Sequence, residues 1–147
     1  MDEKICREYV AILKEELQPA MGCTEPIAVA YCAALARRTL GALPETVEVL
    51  ASANIIKNVK SVIVPNTNGL RGIAAAAAAG IVADNADAQL QVLAELTPEQ
   101  VESVGTYLEQ AAFTVGRRIR TMCLTFRCAS RRERTAPSSR SLASIPT

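Results

Sequence analysis

The 147-residue sequence has no histidine and no tryptophan, and it holds only three tyrosines and two phenylalanines. Without His, the usual general base and a very common metal ligand are both excluded. Any chemistry falls to Cys, Glu, Asp, Lys, Ser, Thr or a bound group. With so few aromatics, a core drawn from a 50% hydrophobic composition must be Ala, Val, Leu and Ile in close contact. Such a core favours tight helix–sheet packing over large pockets. Long apolar runs are missing too: the longest, Ile73 to Ala83, is far short of the ~18–20 residues a membrane span needs. The opening "MDEKICREYV" is charged from its second residue and lacks the apolar stretch of a signal peptide. Five cysteines, odd in number and widely spaced, do not read as a disulfide framework. These absences predict a soluble, cytoplasmic protein of a reducing compartment that does not enter a membrane.

The net charge of +1 conceals a seam. Residues 1–116 carry eight Lys/Arg and fourteen Asp/Glu, whereas residues 117–147 carry eight arginines, no lysine and a single acid, Glu133. The second stretch is also rich in Ser, Thr and Pro, and shows no periodicity beyond Leu124 to Phe126. It is expected to be a disordered basic tail following one domain over 1–116. Three readings of it compete: an arm that contacts nucleic acid through arginine charge, an inert solvated tail, or a stretch translated out of its evolved frame. The third has a paper test. Back-translated from Arg118 and read from the third base of each codon, the tail admits strings such as VLDIQVRLE and AFVEIAG. These alternate with the period of half-buried strands around a turn.

Along the first 116 residues, Asp2 to Leu17 sets Ile5, Tyr9, Ile12, Leu13 and Leu17 on one face and predicts an amphipathic helix ended by Gln18-Pro19. A second helix is expected from Thr24, as N-cap, to Leu40, stopping at Gly41. "ETVEVLAS" (45–52) and "VKSVIVP" (59–65) read as strands separated by the polar break "NIIKN". "GIAAAAAAGIVAD" (72–84) is apolar all round and predicts a helix buried on most sides. "AQLQVLAEL" (88–96) reads as a shorter helix. Thr97, Pro98 and Gln100 form a capping box opening another, and "FTVG" begins a further strand. The order implies α+β: N-terminal helices, two or more strands and a buried Ala-rich helix.

The chemistry-bearing residues gather in three places. In "GCTEP", Cys23 sits at a helix entrance, where free N–H groups and the macrodipole favour a thiolate. The alternative is a small buried hydrophobe beside a cap. Cys6 and Cys32 lie on apolar helix faces and read as core. Cys123 and Cys128 have a C-x4-C spacing but no companion ligands. "SANIIKNVK" offers Asn54, Lys57 and Asn58, which suit either a ligand's carboxylate or an ordinary turn. "VPNTNGLRG" offers Asn66 and Thr67 in a Gly/Asn-rich loop feeding a helix N-terminus, a place where anions bind.

Taken together, "PAMGCTEPIAVAYCAA", "ASANIIKNVKSVIVPNTNGLRGIAAAAAAGIVA" and "LTPEQVESV" resemble, in order and spacing, the start of the L-cysteine desulfidase family. That family is related to the α chain of iron–sulfur L-serine dehydratase. The resemblance covers about residues 5 to 116 and is most specific at GCTEP; the out-of-frame string ends in GFHTN, similar to the family's next block. It implies a lyase that eliminates sulfide or water from L-cysteine or L-serine, giving pyruvate and ammonia with a 4Fe–4S cluster. By the same resemblance Cys23, Glu25 and Lys57 are catalytic, Cys23 serving as cluster ligand or acid/base thiol. Thr24, Asn54, Asn58, Asn66 and Thr67 line the amino-acid pocket. Family members are much longer, and their other cluster cysteines lie in a C-terminal part. This chain is therefore expected to be an inactive N-terminal piece that binds no cluster alone, with a separately encoded half as a candidate partner. The rival function is a small α+β binding protein with a nucleic-acid-contacting arginine tail. The missing lysines and stacking aromatics count against that rival.

Overall fold

The computed structural model describes residues 2–17, 19–117, 124–129 and 141–145. Its element order is α1 (Glu3–Glu16), α2 (Thr24–Leu40), β1 (Thr46–Ala51), α3 (Ala53–Val59), α4 (Gly72–Ala83), a 3-10 segment (Ala86–Gln91), α5 (Pro98–Gln110), β2 (Ala112–Arg117), β3 (Leu124–Ala129) and β4 (Ser141–Ile145). This is the α+β class the sequence implies. The four strands form one mixed sheet in the order β2-β1-β3-β4. β1 runs parallel to β2, with Val47 beside Phe113, and antiparallel to β3, with Val49 beside Phe126.

Local signals explain most of these elements. α2 stops at Gly41, which takes the left-handed conformation at φ 70° and returns its N–H to the Arg37 carbonyl. The capping box at α5 is present in full: Gln100 N–H donates to Thr97 Oγ1, and Thr97 N–H donates to Gln100 Oε1. α2 packs along α4, and the core joins their alanines to Val47, Val49, Phe126 and Cys128 of the sheet. The two helices touch backbone to backbone. A Cβ placed on Gly80 would stand 1.9 Å from the Ala30 carbonyl oxygen. Arg37 of α2 crosses to the end of α4, where its guanidinium donates to the Ile81 and Val82 carbonyls and pairs with Asp84 at 3.2 Å. Beside β1, the Tyr107 hydroxyl donates to the Pro44 carbonyl at 2.7 Å, and its ring meets Phe113 edge-on. No helix among the described residues is long and apolar enough to cross a membrane.

Several expectations are corrected. Residues 53–59 are helical, because Ser52 caps Ile55 N–H and Ile55, Ile56 and Val59 share a helical face. Residues 59–65 make no strand beyond a single bridge from Ile63 to Arg71. The left-handed Asn66 and Asn68 and the positive φ of Gly69 turn the chain too tightly for a ladder. The 88–96 segment is 3-10 followed by turns, with Gln89 at φ 49° interrupting any regular helix. Cys6 is not core: no residue of α1 is buried. Within the basic tail, residues 124–129 and 141–145 are described and form β3 and β4, and Phe126 and Cys128 are fully buried. The reason is β1, which has a second edge to satisfy, and the apolar side chains at 126 and 128 fall on its core side. Cys123 lies outside the described residues.

Candidate functional site

The entrance to α2 is where three loops converge. Gly22, at φ +79°, passes so close to the turn at Pro65 that an added Cβ would stand 3.3 Å from its Cγ. Next to it, Met21 N–H donates to the Leu90 carbonyl, and the Asn66 amide donates to the carbonyls of Leu93 (3.1 Å) and Ala94 (3.4 Å). These contacts fix the position of the next residue, Cys23. Cys23, not Thr24, is the N-cap, and it makes no capping hydrogen bond of its own.

Its thiol is engaged elsewhere. Cys23 Sγ donates to Glu25 Oε2 at 2.9 Å, and Asn58 Nδ2, reaching from α3, donates to Glu25 Oε1 at 3.3 Å. The Thr24 hydroxyl also supports this carboxylate. Glu25 is consequently held below the usual carboxylate range, first by the Cys23 thiol and then by its own backbone N–H, with Asn58 and Thr24 adding to both. The counterpart is a correction to the sequence reading. Cys23 is not acidified by its helix; the hydrogen bond to Glu25 raises its pKa, with desolvation adding to the effect. A carboxylate two residues away outweighs the field of the helix N-terminus. Cys23 is exposed, so the proton it shares with Glu25 is accessible to a ligand.

The other candidates divide. Asn58 joins the pair directly, and helical spacing sets Asn54 one turn before it, with exposed Lys57 adjacent in the last turn of α3. Asn66 is pinned to the 93–94 carbonyls and serves the floor of the site. Thr67 is buried and donates to the Val64 carbonyl at 2.8 Å, so it shapes the turn and does not face a ligand. Cys32 lies deep in the core beside Cys128, and burial pushes its thiol up to about 12. The carbonyls of Leu93 and Ala94 were not legible as site components, because backbone acceptors leave no mark in a sequence. Among the described residues no group of three or more His, Cys, Asp or Glu side chains is gathered in metal-binding fashion.

No family model matches the chain, and no solved structure does. Curated sequences do. A UPF0597 protein of Desulfitobacterium hafniense is 54% identical over 113 residues, covering 77% of this chain and 26% of the relative. UPF0597 proteins of Treponema denticola and Fusobacterium nucleatum are 50% and 48% identical over 111 and 110 residues, again 26% of their lengths. Over about three quarters of its length the chain is similar to UPF0597 proteins, and it spans about a quarter of the relatives it matches.

Proposed function

We propose that this chain is the N-terminal portion of an α,β-eliminating lyase acting on L-cysteine or L-serine, and that Cys23 and Glu25 form its acid/base pair. The observation that carries the reading is the hydrogen bond from Cys23 Sγ to Glu25 Oε2 on an exposed helix entrance. Elimination needs a base for the α-proton and an acid for the leaving group, and this pair supplies both. Glu25 accepts the α-proton of L-cysteine as the Cβ–S bond breaks, and Cys23 protonates the departing sulfide. Glu25 then returns its proton to the Cys23 thiolate. The aminoacrylate left behind tautomerises to an imine, which water hydrolyses to pyruvate and ammonia. With L-serine, water leaves in place of sulfide. Lys57, Asn54 and Asn58 offer a cation and amides for the substrate carboxylate. Thr67 keeps a supporting role in the adjoining turn.

The family resemblance also implies a 4Fe–4S cluster, which is held by three or four thiolates. The donor set among the described residues does not fit that group. Cys32 and Cys128 are inside the core, Cys6 is on α1, and of the described cysteines only Cys23 opens onto the site. Cys23 would supply one ligand at most, after passing its proton to Glu25, and the acid/base steps above stand on the pair itself.

The test uses a chimera in which this chain's residues 1–116 replace the matched stretch of the D. hafniense protein. After anaerobic supply of iron and sulfide it should release pyruvate from L-cysteine or L-serine, whereas the 147-residue chain alone should not. Cys23→Ala and Glu25→Gln should each lower kcat by at least ~100-fold, the usual scale for a lost acid/base group. Full activity of Cys23→Ala would refute the assignment.

A further inference from the structure

α1 carries an apolar face that the other described residues leave open. Ile5, Tyr9, Ile12 and Leu13 follow one another at helical spacing, with Val10 and Leu17 beside them. All six are exposed, Leu17 by 69% and Tyr9 by 60%. A 14-residue helix is marginal in water unless such a face is covered. A membrane surface is a poor cover. From Asp2 to Glu16 the helix has five acids against Lys4, Arg7 and Lys14, the wrong balance for anionic lipid.

Position and size indicate a better one. Only a few residues separate Leu17 from Cys23 in sequence, so α1 leads directly into the segment that carries the Cys23–Glu25–Asn58 cluster, itself open to solvent. The relatives are long: this chain spans 26% of each. The remainder of a relative must meet this quarter somewhere. One face of the sheet is already covered by α2 and α4. The opposite face presents Thr46, Glu48, Thr114 and Arg127, with Arg127 and Glu48 already paired at 3.1 Å.

We propose that α1 is the docking strip for the other three quarters of the UPF0597 polypeptide, which seats on Ile5, Tyr9, Ile12 and Leu13 and closes over Cys23. The site then becomes an interface between the two parts, half of it supplied by each. This inference rests on homology to the UPF0597 proteins and not on the lyase chemistry. Its test reads protection instead of turnover, so the two can fail separately.

Amide exchange is followed in the 147-residue chain and in the intact D. hafniense protein. In the chain, amides of 5–16 should exchange at close to unfolded rates. In the intact relative, the segment equivalent to α1 should be slowed by at least ~100-fold. In the chimera described above, alkylation of Cys6 should be at least ~10-fold slower than in the chain, and Leu13→Asp should restore it. Equal exchange of the α1 segment in chain and intact relative would overturn the proposal. So would a dimer of the chain alone that protects these amides and dissociates on Leu13→Asp, since a second copy would then be the occupant.

Discussion

Replacing Gly80 by alanine should destabilise the protein, although the same change in most helices does the opposite. Gly80 lies inside α4, where propensity alone would make Gly80→Ala worth about 1 kcal/mol of added stability. The new Cβ, however, would stand 1.9 Å from the Ala30 oxygen, 2.5 Å from its carbonyl carbon and 2.7 Å from its Cα. All three are backbone atoms of α2, so no rotamer change relieves the overlap. The helices must part, and a gap of about 0.5–1 Å forfeits a quarter to a half of the dispersion energy of each facing pair of atoms. Overpacking of this kind costs about 1–3 kcal/mol, and a clash with main chain sits at the upper end; after the propensity gain of about 1 kcal/mol we expect a net loss of about 1–2 kcal/mol. In urea titrations followed by circular dichroism, with a slope of about 1–3 kcal/mol per M, the midpoint should fall by roughly 0.5–1 M. Gly105 is the control. It lies in α5 with nothing within 4 Å of a built Cβ, so Gly105→Ala should raise the midpoint by the propensity term, up to about 1 kcal/mol. Trimming the opposing side chain with Ala30→Gly should not rescue Gly80→Ala, because the clash is with main chain. A Gly80→Ala protein as stable as Gly105→Ala would refute the close approach of α2 and α4.

Three further outcomes are expected. Alkylation of Cys23 by iodoacetamide should rise with pH about a midpoint above that of a free cysteine, because Glu25 holds the thiol proton; Glu25→Ala should move the midpoint down, and a midpoint unmoved by that change would sink the pairing. Tyr107→Phe leaves the Pro44 carbonyl without its donor and should cost about 1–3 kcal/mol in the same titrations, whereas a neutral result would show the bond to be dispensable. Arg37→Ala removes the donors to the Ile81 and Val82 carbonyls and the partner of Asp84, and a loss of about 1–2 kcal/mol is expected for this partly exposed cluster. A change within experimental error would mean that water replaces the guanidinium.

The elements that were legible are those whose ends are written in side chains. Thr97-Pro98 with Gln100 announces α5, Gly41 stops α2, and the unbroken alanines of 72–84 announce a helix with no exposed face to spare. α3 was hidden because Asn54, Lys57 and Asn58 are polar and suggest a break; the Ser52 cap and the spacing of Ile55, Ile56 and Val59 say otherwise. β3 was hidden because an arginine-rich composition outweighs a single alternation at Thr125, Phe126, Arg127 and Cys128. The amphipathic pattern of α1 is plain in the sequence, yet a pattern states only that a helix has an apolar face, never what covers it. At the site, residue types point to Cys23 and Asn58, and the family resemblance adds Glu25. The direction of the Cys23 titration did not follow from position in the helix, because it depends on which oxygen lies 2.9 Å away.

The place of β1 in the sheet has a consequence for how the chain folds. β1 is an inner strand, yet neither neighbour is close in sequence: Thr46 pairs with Ala112 on one side and with Ala129 on the other. During synthesis both of its edges emerge unpaired and stay so until α3, α4 and α5 have followed. Contacts so distant must overcome loop-closure entropy before they stabilise anything, which places the sheet late and slow in folding. Until then the alternating Val47, Val49 and Ala51 present a two-edged template for strands of other chains, so the window between making β1 and completing β3 is when the nascent protein is most exposed to aggregation.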